Sequence, residues 1–273
     1  MREVLYAIRG PKTMFEMTWE EVTEALEETD MVIQPIGATE QHGFHLPLGN
    51  DTIGTVEFCK RLALKLASEG IKSLVGPPFP FGLSSYHMAF PGTITLHNET
   101  WQNVVMDILR SLYAHGFRRF VLPLGHGGNW GMLQVVGQQL KDEKKDARVL
   151  VLNWVPVLVS DYPAIFRPDR REGHSGAGET SRILAAQPEL VHMERARTYY
   201  SEATDRAESS VRGGGVLIPE RNMKDVTSYG SIGDPNLASA EIGEKLYKKG
   251  VDWMCEQIKR ELGPFSSGEQ DTA

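Results

Sequence analysis

Four short apolar runs, separated by longer stretches of helical periodicity, constrain this chain most. The runs cover 31–36, 71–75, 120–124 and 148–155. They are short and partly β-branched, so they read as buried strands. Between the first two, 52–69 carries Val56, Cys59, Leu62, Leu64 and Leu66 on one side of a helix, with Gly70 as its stop. Between the next two, Val104, Val105, Ile108, Leu109 and Leu112 recur at helical spacing, with Asn98 as N-cap and Gly116 as C-terminal cap. A glycine-rich turn at 125–131 opens a third helix that ends near Lys144. Strands alternating with helices require crossover connections, hence an α/β fold with a mainly parallel sheet flanked by helices.

The second half is less regular. An ordered functional loop with a short helix is expected over 156–175, and another helix from Thr180 to Ala186. The stretch 194–235 is polar, glycine-dotted and weakly periodic, and supports no assignment. A closing helix over 238–262 places Ile242, Leu246, Val251, Met254 and Ile258 on its apolar side. With no repeat or low-complexity linker, 1–265 reads as a single domain and 266–273 as a frayed tail. The formal net charge of -7 gives no basic footprint for nucleic acid. No window approaches the apolar length of a membrane helix, and the N-terminus lacks a secretory apolar core. A cytoplasmic location is therefore expected, with Cys59 and Cys255 as reduced, buried thiols.

Three clusters carry chemistry. The first, Gly37 to Asp51, places Glu40, His42, His45 and Asp51 just after a buried strand, where α/β proteins put their sites. Glu40, His42 and Asp51 offer the oxygen and nitrogen ligands that zinc, manganese or iron accepts. Histidines that merely hydrogen-bond in a polar loop are the competing reading. The second, Leu124 to Asn129, brings His126 out of another strand on a glycine turn. That turn is neither a dinucleotide fingerprint nor a phosphate loop. The third, Gly173 to Ser181, places His174 on a turn and Glu179 at a helix start, where first-turn dipole stabilisation is the bland role. Ser84 and His87, in the loop 81–93, are substrate contacts or part of a packed aromatic turn.

The order GATEQHGFHLPLGND, GLSSYHMAFPGT, GHGGN and HSGAGETS resembles the creatininase (creatinine amidohydrolase) family, over roughly 19–187. The resemblance implies a compact three-layer α/β fold, commonly a hexamer. It implies a metal-dependent amidohydrolase that cleaves a non-peptide C–N bond, in a cyclic or related amide, by metal-activated hydroxide. By that resemblance Glu40, His42, Asp51 and His126 bind two divalent ions, zinc, manganese or iron, with Asp51 as bridge. Glu179 falls on the glutamate of the family's ETS element, as ligand or acid/base. His174 falls on the position of the catalytic or substrate-contacting histidine and is the expected proton donor to the leaving amine. Ser84, His87 and Arg170 are expected to touch a small-molecule amide substrate.

Two positions depart from creatininases of the family. Gly128 stands where they carry a metal-binding glutamate, so Glu179 is expected to complete the second ion's ligands. Arg170 stands where they stack a tryptophan on substrate, and a guanidinium favours carboxylate or phosphate. Two rival functions follow: a formamide hydrolase acting on a phosphorylated heterocycle, and a non-catalytic metal-binding scaffold.

Overall fold

The computed structural model describes residues 12–200 and 222–263. Its sheet has four strands in the order β2-β1-β3-β4, all parallel: β1 Met31–Ile33, β2 Leu74–Val75, β3 Arg119–Pro123 and β4 Arg148–Leu152. Val32 pairs with Leu74 on one side and Phe120 on the other, and Val121 pairs with Leu150.

The two faces of the sheet bury different sets, as a period of two requires. Met31, Ile33, Val121 and Leu152 face one core, Val32, Phe120 and Leu122 the other. The first core is covered by α2 (Asn50–Ser68), α5 (Val155–Val159), α6 (Tyr162–Ile165), α7 (Ala177–Ala186) and α8 (Ala240–Glu261). The second is covered by α3 (Asn98–Ala114) and α4 (Trp130–Glu143), with α1 (Trp19–Leu26) against it through Val22 and Leu26. These three layers match the architecture expected from the sequence.

Several boundaries differ from the sequence reading. β1 ends at Ile33 because Pro35 has no N–H to donate; Ile36 keeps only isolated bridges to Phe79 and Leu124. The helix expected over 52–69 begins two residues earlier, so Asp51 lies in the first turn of α2. His97 caps α3, with Asn98 inside it. Leu64 and Val104 are exposed although their spacing placed them on buried faces. The strand expected to reach Val155 stops at Leu152, and Val155 starts a helix. The loop expected over 156–175 opens with two short helices, α5 and α6. α7 starts at Ala177, three residues before its expected start, which puts Glu179 in its first turn. In the unassigned stretch, Tyr199 and Gly233 exchange backbone hydrogen bonds. The tail 266–273 lies outside the described residues. No described helix is long and apolar enough to cross a membrane.

Candidate metal centre

The loops at the carboxyl ends of β1, β2 and β3 meet above one edge of the sheet. Loop 37–49 leaves β1 and runs into α2, the segment 82–87 follows β2, and 124–129 follows β3. Buried Asn129 ties the three together. Its amide donates to Gly37 O at 3.1 Å and its Oδ1 accepts from Leu83 N at 3.0 Å. Thr52 Oγ1 adds a bond to Ala38 O, closing loop 37–49 onto α2.

Three histidines enter this space in the same way. His42 donates from Nδ1 to Glu40 O at 3.1 Å, His126 from Nε2 to Leu83 O at 3.2 Å, and His174 from Nε2 to Gln41 O at 2.8 Å. A ring N–H given to a backbone carbonyl fixes the neutral tautomer, leaving the opposite nitrogen with a lone pair. All three lone pairs are directed at carboxylates. His42 Nε2 lies 3.0 Å from Asp51 Oδ1 and 3.5 Å from Glu179 Oε2. His126 Nδ1 lies 3.0 Å from Asp51 Oδ2 and 3.3 Å from Glu40 Oε1. His174 Nδ1 lies 3.9 Å from Glu40 Oε1.

The two oxygens of Asp51 are thus divided between two groups. Oδ2 faces His126, which also lies beside Glu40; Oδ1 faces His42, which also lies beside Glu179. Glu40, Asp51 and His126 offer ligand atoms within 4.8 Å of one another, as do Glu40, His42 and His174. Lone pairs and carboxylates packed this closely repel unless a cation lies among them. Glu40 Oε2 and His42 Nε2 are buried with no hydrogen-bond partner, so the close His42–Asp51 approach is not an aligned hydrogen bond. Buried oxygen and nitrogen donors with unused lone pairs fit divalent ions.

The electrostatics agree. Burial opposes charge on His42, but the field of Asp51, then of Glu179 and Glu40, raises it to about 9. Against the same burial, Glu40 and Asp51 drive His126 well above the ordinary imidazole value. A proton stands there in place of a metal ion. Against their own burial, the histidines pull Glu40 down to about 2 and Asp51 below its usual range. His87 and His174 go the other way: burial lowers both, His87 to about 3.

The remaining expected residues are spread around this cluster. Glu179 Oε2 accepts from Ser175 N at 2.7 Å, which holds its carboxylate beside His42. His87 is buried, with Nδ1 accepting from Gln41 Nε2 at 2.9 Å and Nε2 lying 3.5 Å from Glu40 Oε1. Ser84 is fully buried and its Oγ has no partner. Arg170 is exposed, with its guanidinium 5.5 Å from the Tyr200 ring centroid. His45 takes no part in the cluster and instead donates to Thr180 Oγ1 at 2.9 Å, since that hydroxyl is spent on Gly176 O.

Gly128 has a steric explanation. A Cβ there would lie 2.3 Å from Leu83 O and 2.5 Å from His126 Nε2. The carbonyl that orients His126 occupies the room a side chain would need. Sequence reasoning missed Gln41. Its Oε1 accepts from Gly43 N at 3.0 Å, which fixes the amide so that Nε2 reaches His87. Its place beside His42 in the EQHG run was the available signal. Sequence reasoning read His174 as a catalytic proton donor or a substrate contact; its Nδ1 is also placed where an ion could be held.

The profile of the creatininase family, described as creatinine amidohydrolase, matches residues 15–258. The chain is 32% identical to the creatinine amidohydrolase of Pseudomonas putida, covering 91% of this chain and 96% of that protein. It is 30% identical to the mycofactocin precursor peptide peptidase of Mycolicibacterium smegmatis, covering 84% and 85%. A solved structure of creatininase with manganese superposes with a TM-score of 0.73 at 29% identity, covering 93% of this chain and all of the other.

Proposed function

The chain belongs to the creatininase family of amidohydrolases, and from that premise we propose that it hydrolyses an amide C–N bond at a centre of two divalent ions. One observation carries the reading: Asp51 turns one oxygen to the Glu40–His126 group and the other to the His42–Glu179 group. A carboxylate shared this way is suited to bridge two ions. Zinc, manganese and iron all suit these ligands. When bound, such ions lower the pKa of a coordinated water toward about 7 and polarise a carbonyl oxygen.

The chain's own residues supply the rest. Glu40, Asp51 and His126 would hold one ion; His42, Asp51 and Glu179 would hold the other. Backbone carbonyls fix each ligating imidazole, which keeps its lone pair aimed inward. His174 is neutral, with its proton on Nε2 tied to Gln41 O, so Nδ1 is the atom that takes a proton from the attacking water and returns it to the leaving amine. Ser84 Oγ, buried without a partner, and His87 contact the substrate. Arg170 meets an anionic group at the edge. The 30% identity to a peptidase favours including short peptides among the substrates.

Metal content measured alongside hydrolysis of lactams, cyclic ureides, formamides and short peptides tests this. Two ions per chain with turnover of one class is the expected result. Tight metal binding without turnover of any class would favour a scaffold instead. His174→Gln should keep both ions and lose turnover; loss of an ion would make His174 a ligand.

A further inference from the structure

Gln41 stands between two imidazoles of the site and meets each with a different group. It is buried, and its backbone N donates to Thr93 Oγ1 at 3.1 Å. Gly43 N donates to Gln41 Oε1 at 3.0 Å. That bond fixes which end of the amide is oxygen: with the ends exchanged, two N–H groups would face each other. The amide is also walled in. A Cβ at Gly230 would lie 2.0 Å from Gln41 Oε1, and the φ of +72° there favours glycine.

With Oε1 spent on Gly43, Nε2 is the atom that faces His87 Nδ1, at 2.9 Å. A donor at that distance needs a lone pair on Nδ1, so the His87 ring carries its hydrogen on Nε2. The backbone carbonyl of Gln41 does the reverse for His174. It lies 2.8 Å from Nε2, where a lone pair would be repelled and an N–H is bound. Gln41 Nε2 is also 3.1 Å from His174 Nε2; the two N–H groups lie side by side there, each directed to its own acceptor. The ring centroids of His87 and His174 are 4.4 Å apart. One ring thus presents an N–H and its neighbour a lone pair. Among the described residues the His87 Nε2–H makes no hydrogen bond, because Glu40 Oε1 at 3.5 Å is too far for one. Such a donor in a largely buried place calls for an acceptor.

We propose that Gln41 sets these imidazoles in opposite tautomers, which makes His87 a hydrogen-bond donor to the substrate beside a His174 that accepts a proton. The strong acceptor of an amide group is its carbonyl oxygen, so that is the atom His87 receives. Negative charge grows on this oxygen as water adds to the carbon, and a donor already aimed at it binds more strongly as it does. Gln41 touches neither water nor substrate and is a positioning residue. The tautomers rest on the geometry around Gln41; the substrate contact rests on the amidohydrolase reading.

Neutron diffraction from a deuterium-exchanged crystal of the full chain reads the tautomers directly. Deuterium is expected on Nε2 of His87 and of His174 and on neither Nδ1. Deuterium on Nδ1 of either ring overturns the proposal. Gln41→Glu keeps the side-chain length and the acceptor for Gly43 N, but turns the donor facing His87 into an acceptor. Deuterium should then move to His87 Nδ1. For the amide class that is hydrolysed, kcat should fall by about 10²–10³-fold, the usual cost of losing such a donor, with KM nearly unchanged. Gln41→Met offers neither donor nor acceptor and gives up the Gly43 bond, yet at matched metal content it should lose less. A residue that only braced the loop would give the opposite order, with Met worse than Glu, and that order overturns the positioning role. Wild-type protein that hydrolyses no amide overturns the amidohydrolase reading, and the substrate contact with it. The tautomers stand or fall on the wild-type map, which needs neither variant to fold.

Discussion

Asp51 and Glu179 differ in a way that mutation separates. Asp51 faces both ligand groups, Glu179 only the one with His42. Asp51→Asn keeps the shape but removes the shared charge. It should release both ions and lower kcat by about 10³-fold or more, since ions contribute several kcal/mol to such transition states. Glu179→Gln should weaken one ion selectively, because a neutral amide is the poorer ligand. Metal analysis after dialysis distinguishes them, and both ions retained in Asp51→Asn would remove the bridge. The raised pKa values give a second outcome. With His42 held at about 9 and His126 well above its ordinary value, both imidazoles are protonated in the metal-free protein at pH 7. An ion must displace those protons, so affinity should climb as pH rises toward about 9 and about two protons should be released on binding at pH 7. Calorimetry in buffers of different ionisation enthalpy counts them, and a pH-independent affinity would contradict the assignment. At this scale the sequence supplied the candidate residues. Which nitrogen of each histidine carries its proton was not legible, because that is set by carbonyls of Glu40, Leu83 and Gln41 arriving from distant turns.

The long helices were legible because each shows an apolar stripe to one core and has a recognisable stop. α3 buries Trp101, Val105, Met106, Leu109 and Leu112, three of which (Val105, Leu109 and Leu112) were among the five expected. The short elements were not. α1 has no fully buried residue and leaves Trp19 exposed, so little periodicity marks it. β2 is two residues long, below what any pattern resolves. The contact that matters most to the site is between α7, which carries Glu179 and Arg182, and α8. They cross at Gly243, where a Cβ would lie 2.0 Å from Ser181 O and 2.8 Å from Ala185 Cβ. The backbone of α7 cannot yield as a side-chain tip would. Gly243→Ala should therefore cost about 1–3 kcal/mol in urea denaturation of the metal-free protein, despite alanine's better helix propensity. It should also loosen the ion beside Glu179. A variant as stable as wild type would mean that the helices separate easily.

For the whole molecule, the family resemblance is the ground for expecting assembly. A homo-oligomer, six chains for a hexamer, is the expected mass by light scattering at micromolar concentration, and a monomer would refute it. The sequence by itself determined the alternation of strands and helices, the parallel sheet, and the motifs that place Glu40, His42, Asp51, His126, His174 and Glu179 in one family. Those properties are carried by contiguous residues, as a period of two or 3.6 or as a run such as EQHG, so they survive without coordinates. The tertiary structure alone decided the split of Asp51's oxygens between two groups and the exclusion of any side chain at position 128 by Leu83 O. Each of these depends on atoms from segments far apart in the chain brought within hydrogen-bond reach, as His174 is to Gln41 across 133 positions. Such meetings are fixed by packing against a shared core, and no local pattern records them.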